Sequence, residues 1–206
     1  QMEGTHGIPF SFLYGQEYVQ ENINAALADP NPLSIVPSVD TVGHGTFLAG
    51  IAAGGPTPTQ NFTGASPACY IGVVKLKPVK QYLRDYYLLP ESADAYQSND
   101  LMMAVAYLRL LALRHRMPLV LCIGLGTNQG GHNGYSPFSQ VLNNLQQILG
   151  ISAVCAGGNE VGFRHHYFGR VTQSSAFDEV ELKVGDEERG FVMELWANLP
   201  EIYTVG

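Results

Sequence analysis

Three short, largely apolar runs constrain this chain more than anything else in it: 70–76 (YIGVVKL), 119–125 (LVLCIGL) and 151–156 (ISAVCA). Strands with near-continuous apolar residues suit a parallel sheet covered on both sides. Around the second and third runs the pattern changes to helical spacing. The 99–116 segment puts Leu101, Val105, Leu108 and Ala112 on one face, and it ends in Arg114, His115 and Arg116, where cations suit the helix dipole. Pro118 stops it. The 136–149 segment offers Ser136 as N-cap ahead of Pro137 at the first helical position. Strand, helix, strand, helix, strand predicts parallel βαβ units: an α/β fold with helices on both faces of the sheet.

Upstream, 16–28 carries Val19, Ile23, Ala26 and Leu27 at helical spacing until Asp29-Pro30-Asn31-Pro32 stops it. A short extended piece follows at 34–39. The 40–54 segment is a glycine-rich opening followed by an alanine-rich helix, and 55–64 is a Pro/Thr loop. The 77–97 stretch reads as a long excursion between elements. After Arg170 the character changes: 180–184, 191–196 and 202–205 alternate apolar and polar residues, which predicts antiparallel β. The sequence therefore divides into an α/β part, 1–168, and the start of a β-rich unit, 169–206.

With 46% apolar and 14% charged residues, the chain can build a core and is not disordered by composition. Its eighteen acids and eleven bases give a net charge of −7, and no basic run offers a face to phosphates, so nucleic acid is excluded as a partner. No run reaches the roughly 18 apolar residues of a membrane span. Cys69, Cys122 and Cys155 are too few and odd in number for a disulfide framework; Cys122 and Cys155 lie in apolar runs and are expected in the core. The odd cysteine count, with no signal peptide in this segment, leans towards an intracellular setting. Gln1 in place of methionine fits an internal piece of a longer chain.

Three local patterns carry chemistry. Gly43-His44-Gly45-Thr46 opens a small-residue helix, so His44 sits beside unsatisfied N–H groups at the positive end of a dipole. That setting favours the neutral imidazole a general base needs. Read alone, the same histidine could simply cap the helix. Ala156, Gly157, Gly158 and Asn159 end a parallel strand, where ligands of open α/β sheets bind. The Asn159 amide can donate there to a developing oxyanion, or the residue can serve a left-handed turn. Gly124, Leu125 and Gly126 also lie at a strand end and can pair with a peptide main chain. A nucleotide loop is the rival reading of 124–130, but it lacks the third glycine of that fingerprint. His132, His165 and His166 show no metal-ligand spacing, and neighbouring histidines face opposite ways on a strand. No metal or cofactor is expected.

Together these patterns resemble one family. The run D-x-x-G-H-G-T-x-x-A-G-x-x-A-G at 40–54 is similar to the histidine motif of the subtilisin-like serine proteases (subtilases, peptidase S8). Gly64, Ser66 and Pro67, followed by an apolar run and Lys75, resemble the segment after that motif. The Gly-Leu-Gly of 124–126 and the Gly-Asn-Glu of 158–160 resemble the family's substrate-binding strand and oxyanion-hole asparagine. The loop 126–134 and Arg164-His165-His166 look most like the bacterial spore-germination proteases, in which a β-rich unit is inserted into the catalytic domain.

The resemblance implies a three-layer α/β/α fold, here incomplete, and a Ser-His-Asp endopeptidase acting on a peptide or protein substrate. His44 would be the general base and Asn159 the oxyanion donor. Gly124, Leu125 and Gly126 would pair with the substrate, and Ala156, Gly157 and Gly158 would wall the pocket beside the cut. The family's Asp-Thr/Ser-Gly strand and Gly-Thr-Ser helix start have no counterpart here: Asp29 sits in a turn, Asp40 belongs to the histidine motif, and Ser174-Ser175 lacks the context. The isolated chain is therefore expected to be inactive. The alternative is a catalytically dead relative that binds or signals. Without the family's central strand and serine helix, strand edges and apolar surface are left open. Self-association of this chain is the expected outcome; light scattering at high concentration checks it, and a clean monomer would oppose it.

Overall fold

The computed structural model describes residue 9 and residues 11–172, 174–175, 177–188 and 190–206. It divides into two compact units, Gln1–Cys69 and Tyr70–Gly206.

The first unit carries α1, Gln20–Ala28, and α2, His44–Ala53. Helix α1 stops where the sequence predicts: the Asp29 carboxylate accepts the Asn31 N–H at 2.7 Å, and a 3-10 turn, Pro32–Ser34, follows. Helix α2 is closed at its carboxyl end by the chain that returns to it. The N–H groups of Ala65 and Ser66 reach the Ile51 and Ala52 carbonyls at 2.9 and 2.8 Å, and the Gly64 N–H reaches Gly54 O at 2.9 Å. These bonds satisfy carbonyls that a helix end leaves without partners. The approach demands glycine: a Cβ on Gly64 would lie 2.9 Å from the Gly50 and Gly54 oxygens. This is the physical content of the glycine that opens the 64–67 motif.

The second unit holds α3, Gln81–Tyr86; α4, Ser98–His115; β1, Leu119–Ile123; α5, Pro137–Gln146; and β2, Ile151–Cys155. The 77–97 excursion contains α3 and is closed by Arg84, whose guanidinium donates to the Pro90 and Ala93 carbonyls at 2.9 and 2.8 Å. Helix α4 ends at Arg116, in a left-handed conformation ahead of Pro118. Helix α5 begins as predicted, with Ser136 Oγ accepting the Ser139 N–H and Pro137 in the first turn. Strands β1 and β2 pair in parallel from Leu119 opposite Ile151 to Ile123 opposite Cys155.

The core lies on one face of that pair. Val105 of α4 and Leu142 and Leu145 of α5 pack with Leu121 and Ile123, joined by Leu108, Leu119, Phe138, Val141, Ile151 and Ala153. Successive strand residues face opposite ways, so Val120 and Val154 stand on the other face and are 71% and 57% exposed. The incomplete α/β fold is therefore present, but the unit's helices cover one face of the sheet and not both. Cys122 and Cys155, expected in the core, are exposed free thiols: Cys122 lies on the bare face and Cys155 at the strand's end.

Two further expectations are corrected. The 70–76 run forms no strand; Gly72 packs instead against Leu108 and Leu111 of α4, and Tyr70, Ile71 and Val73 are exposed. The antiparallel strands predicted after Arg170 are likewise not formed among the described residues, where Thr172 and Ser175 make a single antiparallel bridge. Alternation specifies which face is apolar, but a ladder needs a neighbour to supply its hydrogen bonds. Among the described residues no helix is long and apolar enough to cross a membrane.

The one-sided core sets up a direct comparison. Leu121→Ala should destabilise the second unit by about 2–5 kcal/mol, as large-to-small changes in a core do. Val120→Ala, one residue away on the bare face, should change it by less than about 1 kcal/mol. Urea unfolding followed by circular dichroism measures both, and equal losses would contradict the assignment of faces.

Candidate functional site

The mouth of α2 is built by one carboxylate. Gly43, at the N-cap, has φ of +87°, a conformation that favours glycine, and His44 is the first helical residue. Asp40 stands in for the missing cap side chain. Its Oδ1 accepts the N–H groups of Val42 and Gly43 at 3.0 and 2.7 Å; its Oδ2 accepts the N–H and hydroxyl of Thr46 at 3.2 and 2.5 Å. Two of these donors, the Gly43 and Thr46 amides, belong to the helix mouth. The Thr46 hydroxyl, then the Gly43 and Val42 amides, hold the Asp40 carboxyl far below the usual carboxylate range. The charge also sits at the positive end of the helix dipole. The turn, and with it His44 at its head, is fixed by ionic hydrogen bonds although the imidazole is exposed.

The second set of predicted residues lies at the carboxyl edge of the sheet. Parallel pairing sends both chains out at that edge, Gly124 to Gly126 after β1 and Ala156 to Asn159 after β2. The Ala156 N–H donates to the Ile123 carbonyl at 3.0 Å, so the ladder continues one step into the 156–158 segment. Gly158 has φ of +81°, and the exposed Asn159 follows it in a bend. His44 lies in the first unit, and Asn159 with the two glycine segments lies in the second.

The loops beyond this edge hold their own network. Glu160 Oε2 lies 2.5 Å from His165 Nδ1. An ionised carboxylate only accepts, so Nδ1 carries the proton, and the Asn128 amide 3.5 Å from the same nitrogen is a neighbour rather than a donor to it. Phe163 stacks on His165, its centroid 5.7 Å away. His132 donates from Nε2 to the Asn128 carbonyl at 2.9 Å and stacks on His166 at 5.0 Å. His165 and His166 thus turn to different partners, and no group of three potential metal ligands is found among the described residues. Further out, the Tyr167 hydroxyl donates to Asp178 at 2.8 Å, which raises its pKa.

Sequence reasoning missed two roles. Asp40 was legible only as part of a motif, yet an Asp three residues ahead of a Gly-His helix start is the signal for a capping carboxylate. The Glu160–His165 pair is a five-residue contact across a turn, and no periodic pattern announces it.

The subtilase family matches residues 16–183 of this chain. Among solved structures, the CspB protease of Clostridium perfringens is similar over 72% of this chain, at 33% identity and a TM-score of 0.62. The chain spans 30% of that protein's length. No curated protein sequence matches it.

The Asp40 clamp generates a test with a defined sign. The folded carboxyl has the lower pKa, so its stabilisation is present above the ordinary carboxylate range and is lost as pH falls through the folded value. Protection of the Thr46 amide from hydrogen exchange should be flat above about pH 5 and disappear in strong acid. Asp40→Ala should remove it at every pH, while Asp40→Asn should keep part of it. A fully protected Thr46 amide in Asp40→Ala would refute the clamp.

Proposed function

The chain belongs to the subtilase family, and from that premise we propose that it is part of the catalytic domain of a serine endopeptidase that cuts peptide bonds with a Ser-His-Asp triad. In this reading His44 is the general base. It takes the proton from the serine hydroxyl as that oxygen attacks the scissile carbonyl, then delivers it to the leaving amine. The Asn159 side-chain amide donates to the tetrahedral oxyanion. Gly124, Leu125 and Gly126 align the substrate main chain by added-strand pairing, and Ala156, Gly157 and Gly158 wall the pocket for the residue before the cut. The 1–168 segment supplies this machinery and 169–206 begins an inserted unit.

The observation that carries the reading is the mouth of α2: an exposed histidine at the first helical position of a turn that one carboxylate fixes with four hydrogen bonds to the residues on either side of it. A histidine that merely capped the helix would leave Asp40 without this task. The parallel exits of β1 and β2 add support, because they bring the two proposed substrate segments to one edge. The bare face of the β pair supports the proposal that the chain on its own self-associates.

The aspartate and serine motifs are not in this sequence, so the 206 residues alone should neither cleave an unstructured protein nor react with a serine-directed phosphonate. The longer parent protein should do both. In it, His44→Ala should abolish turnover, and Asn159→Ala should lower kcat about 100- to 1,000-fold with little change in KM. Phosphonate-sensitive turnover by the isolated chain would refute the assignment of an incomplete triad. A parent that binds peptide but never labels would instead favour the binding or signalling relative.

A further inference from the structure

The loop 126–134 that leaves β1 is gripped by a segment to which the proposed chemistry gives no task. Glu194 Oε2 accepts the Gly130 backbone N–H at 2.7 Å and the Trp196 indole N–H at 3.0 Å. The indole itself lies against Gly131: a Cβ there would stand 3.0 Å from Cε3 and 3.2 Å from Cδ2 of the ring. Gly131 is thus a place where bare backbone admits an aromatic face. Gly130 beside it has φ of +95°, so the amide aimed at Glu194 depends on a glycine conformation. From within the loop, the bond from His132 to the Asn128 carbonyl spans the same turn. Donation from Gly130, then from Trp196, with His132 nearby, keeps the Glu194 carboxyl below its ordinary pKa, so it stays an acceptor at neutral pH. Glu194 is 64 residues downstream of Gly130, so the contact is made by the fold and not by chain adjacency.

We propose that Glu194 and Trp196 are positioning residues that latch the 126–134 loop and thereby fix the 124–126 segment for pairing with a substrate main chain. The inference rests on the reading of 124–126 as the substrate strand, but the latch can be observed without any activity. A glycine-rich loop left to itself samples many conformations, and each must be given up when a peptide pairs beside it. A loop already held surrenders less, so the latch acts on binding: it should appear in KM and leave kcat alone.

Trp196 is the chain's only tryptophan, so its indole N–H gives a single assignable resonance in the 206-residue chain. Glu194→Gln should move that resonance and the Gly130 amide together. Gly131→Ala, whose backbone is unstrained but whose methyl meets the ring, should shift the indole signals as well. In the parent protease, Trp196→Ala should raise KM roughly ten-fold with kcat within about two-fold of wild type, and Trp196→Phe, which keeps a ring on Gly131, should recover most of the loss. Independent behaviour of the two resonances would overturn the latch. A latch seen by NMR in an active parent whose KM ignores Trp196→Ala would overturn the positioning role. A wild-type parent without turnover would sink the protease reading, and the resonances would then decide the latch by themselves.

Discussion

Parallel pairing of two five-residue strands is the constraint on which the second unit depends. Antiparallel strands could have been joined by a tight turn; parallel ones need a crossover, and α5 is that crossover. Its Leu142 and Leu145 then supply two of the five buried residues of the core that holds the strands in register. The same geometry decides which end of the sheet the two glycine-rich segments reach. Both strands release their chains at one edge, so the two glycine-rich segments lie side by side there without any specific contact between distant side chains.

The helix mouth solves a different problem. The general base we propose must be accessible, yet an exposed side chain on a fraying helix end has no fixed position. Asp40 resolves this by binding backbone and side-chain donors around His44 while leaving the imidazole itself at the surface. The downstream network follows the same logic on a larger scale: Glu194 fixes a loop by accepting from its backbone, and glycine at 130 and 131 makes that backbone available.

Much of this was legible from residue patterns. Helices α4 and α5, the Ser136 cap, the parallel order of 119–125 and 151–156, and the helix starting at His44 all rest on local spacing that the structure preserves. What misled was the inference from apolar content to covered surface. LVLCI is apolar on both sides and ISAVC is so but for Ser152, yet only Leu119, Leu121 and Ile123, with Ile151 and Ala153 of β2, find helices to pack on, so Val120, Val154 and Cys122 remain exposed. The 70–76 and 180–205 segments failed for a related reason. A strand is defined by its neighbour, and neither the apolar run nor the alternation says whether one is at hand. Long-range contacts such as Glu194 with Gly130 leave no periodic trace at all.

Helix α2 has one more property. Its amino end is tied to Asp40 and its carboxyl end to the 64–66 segment, so the bonds described at both ends come from a single short stretch of chain. Loops this small close with little entropy loss and rapidly. The ties at both ends of the piece that bears the imidazole can thus be made during synthesis, before more distant parts of the polypeptide have emerged.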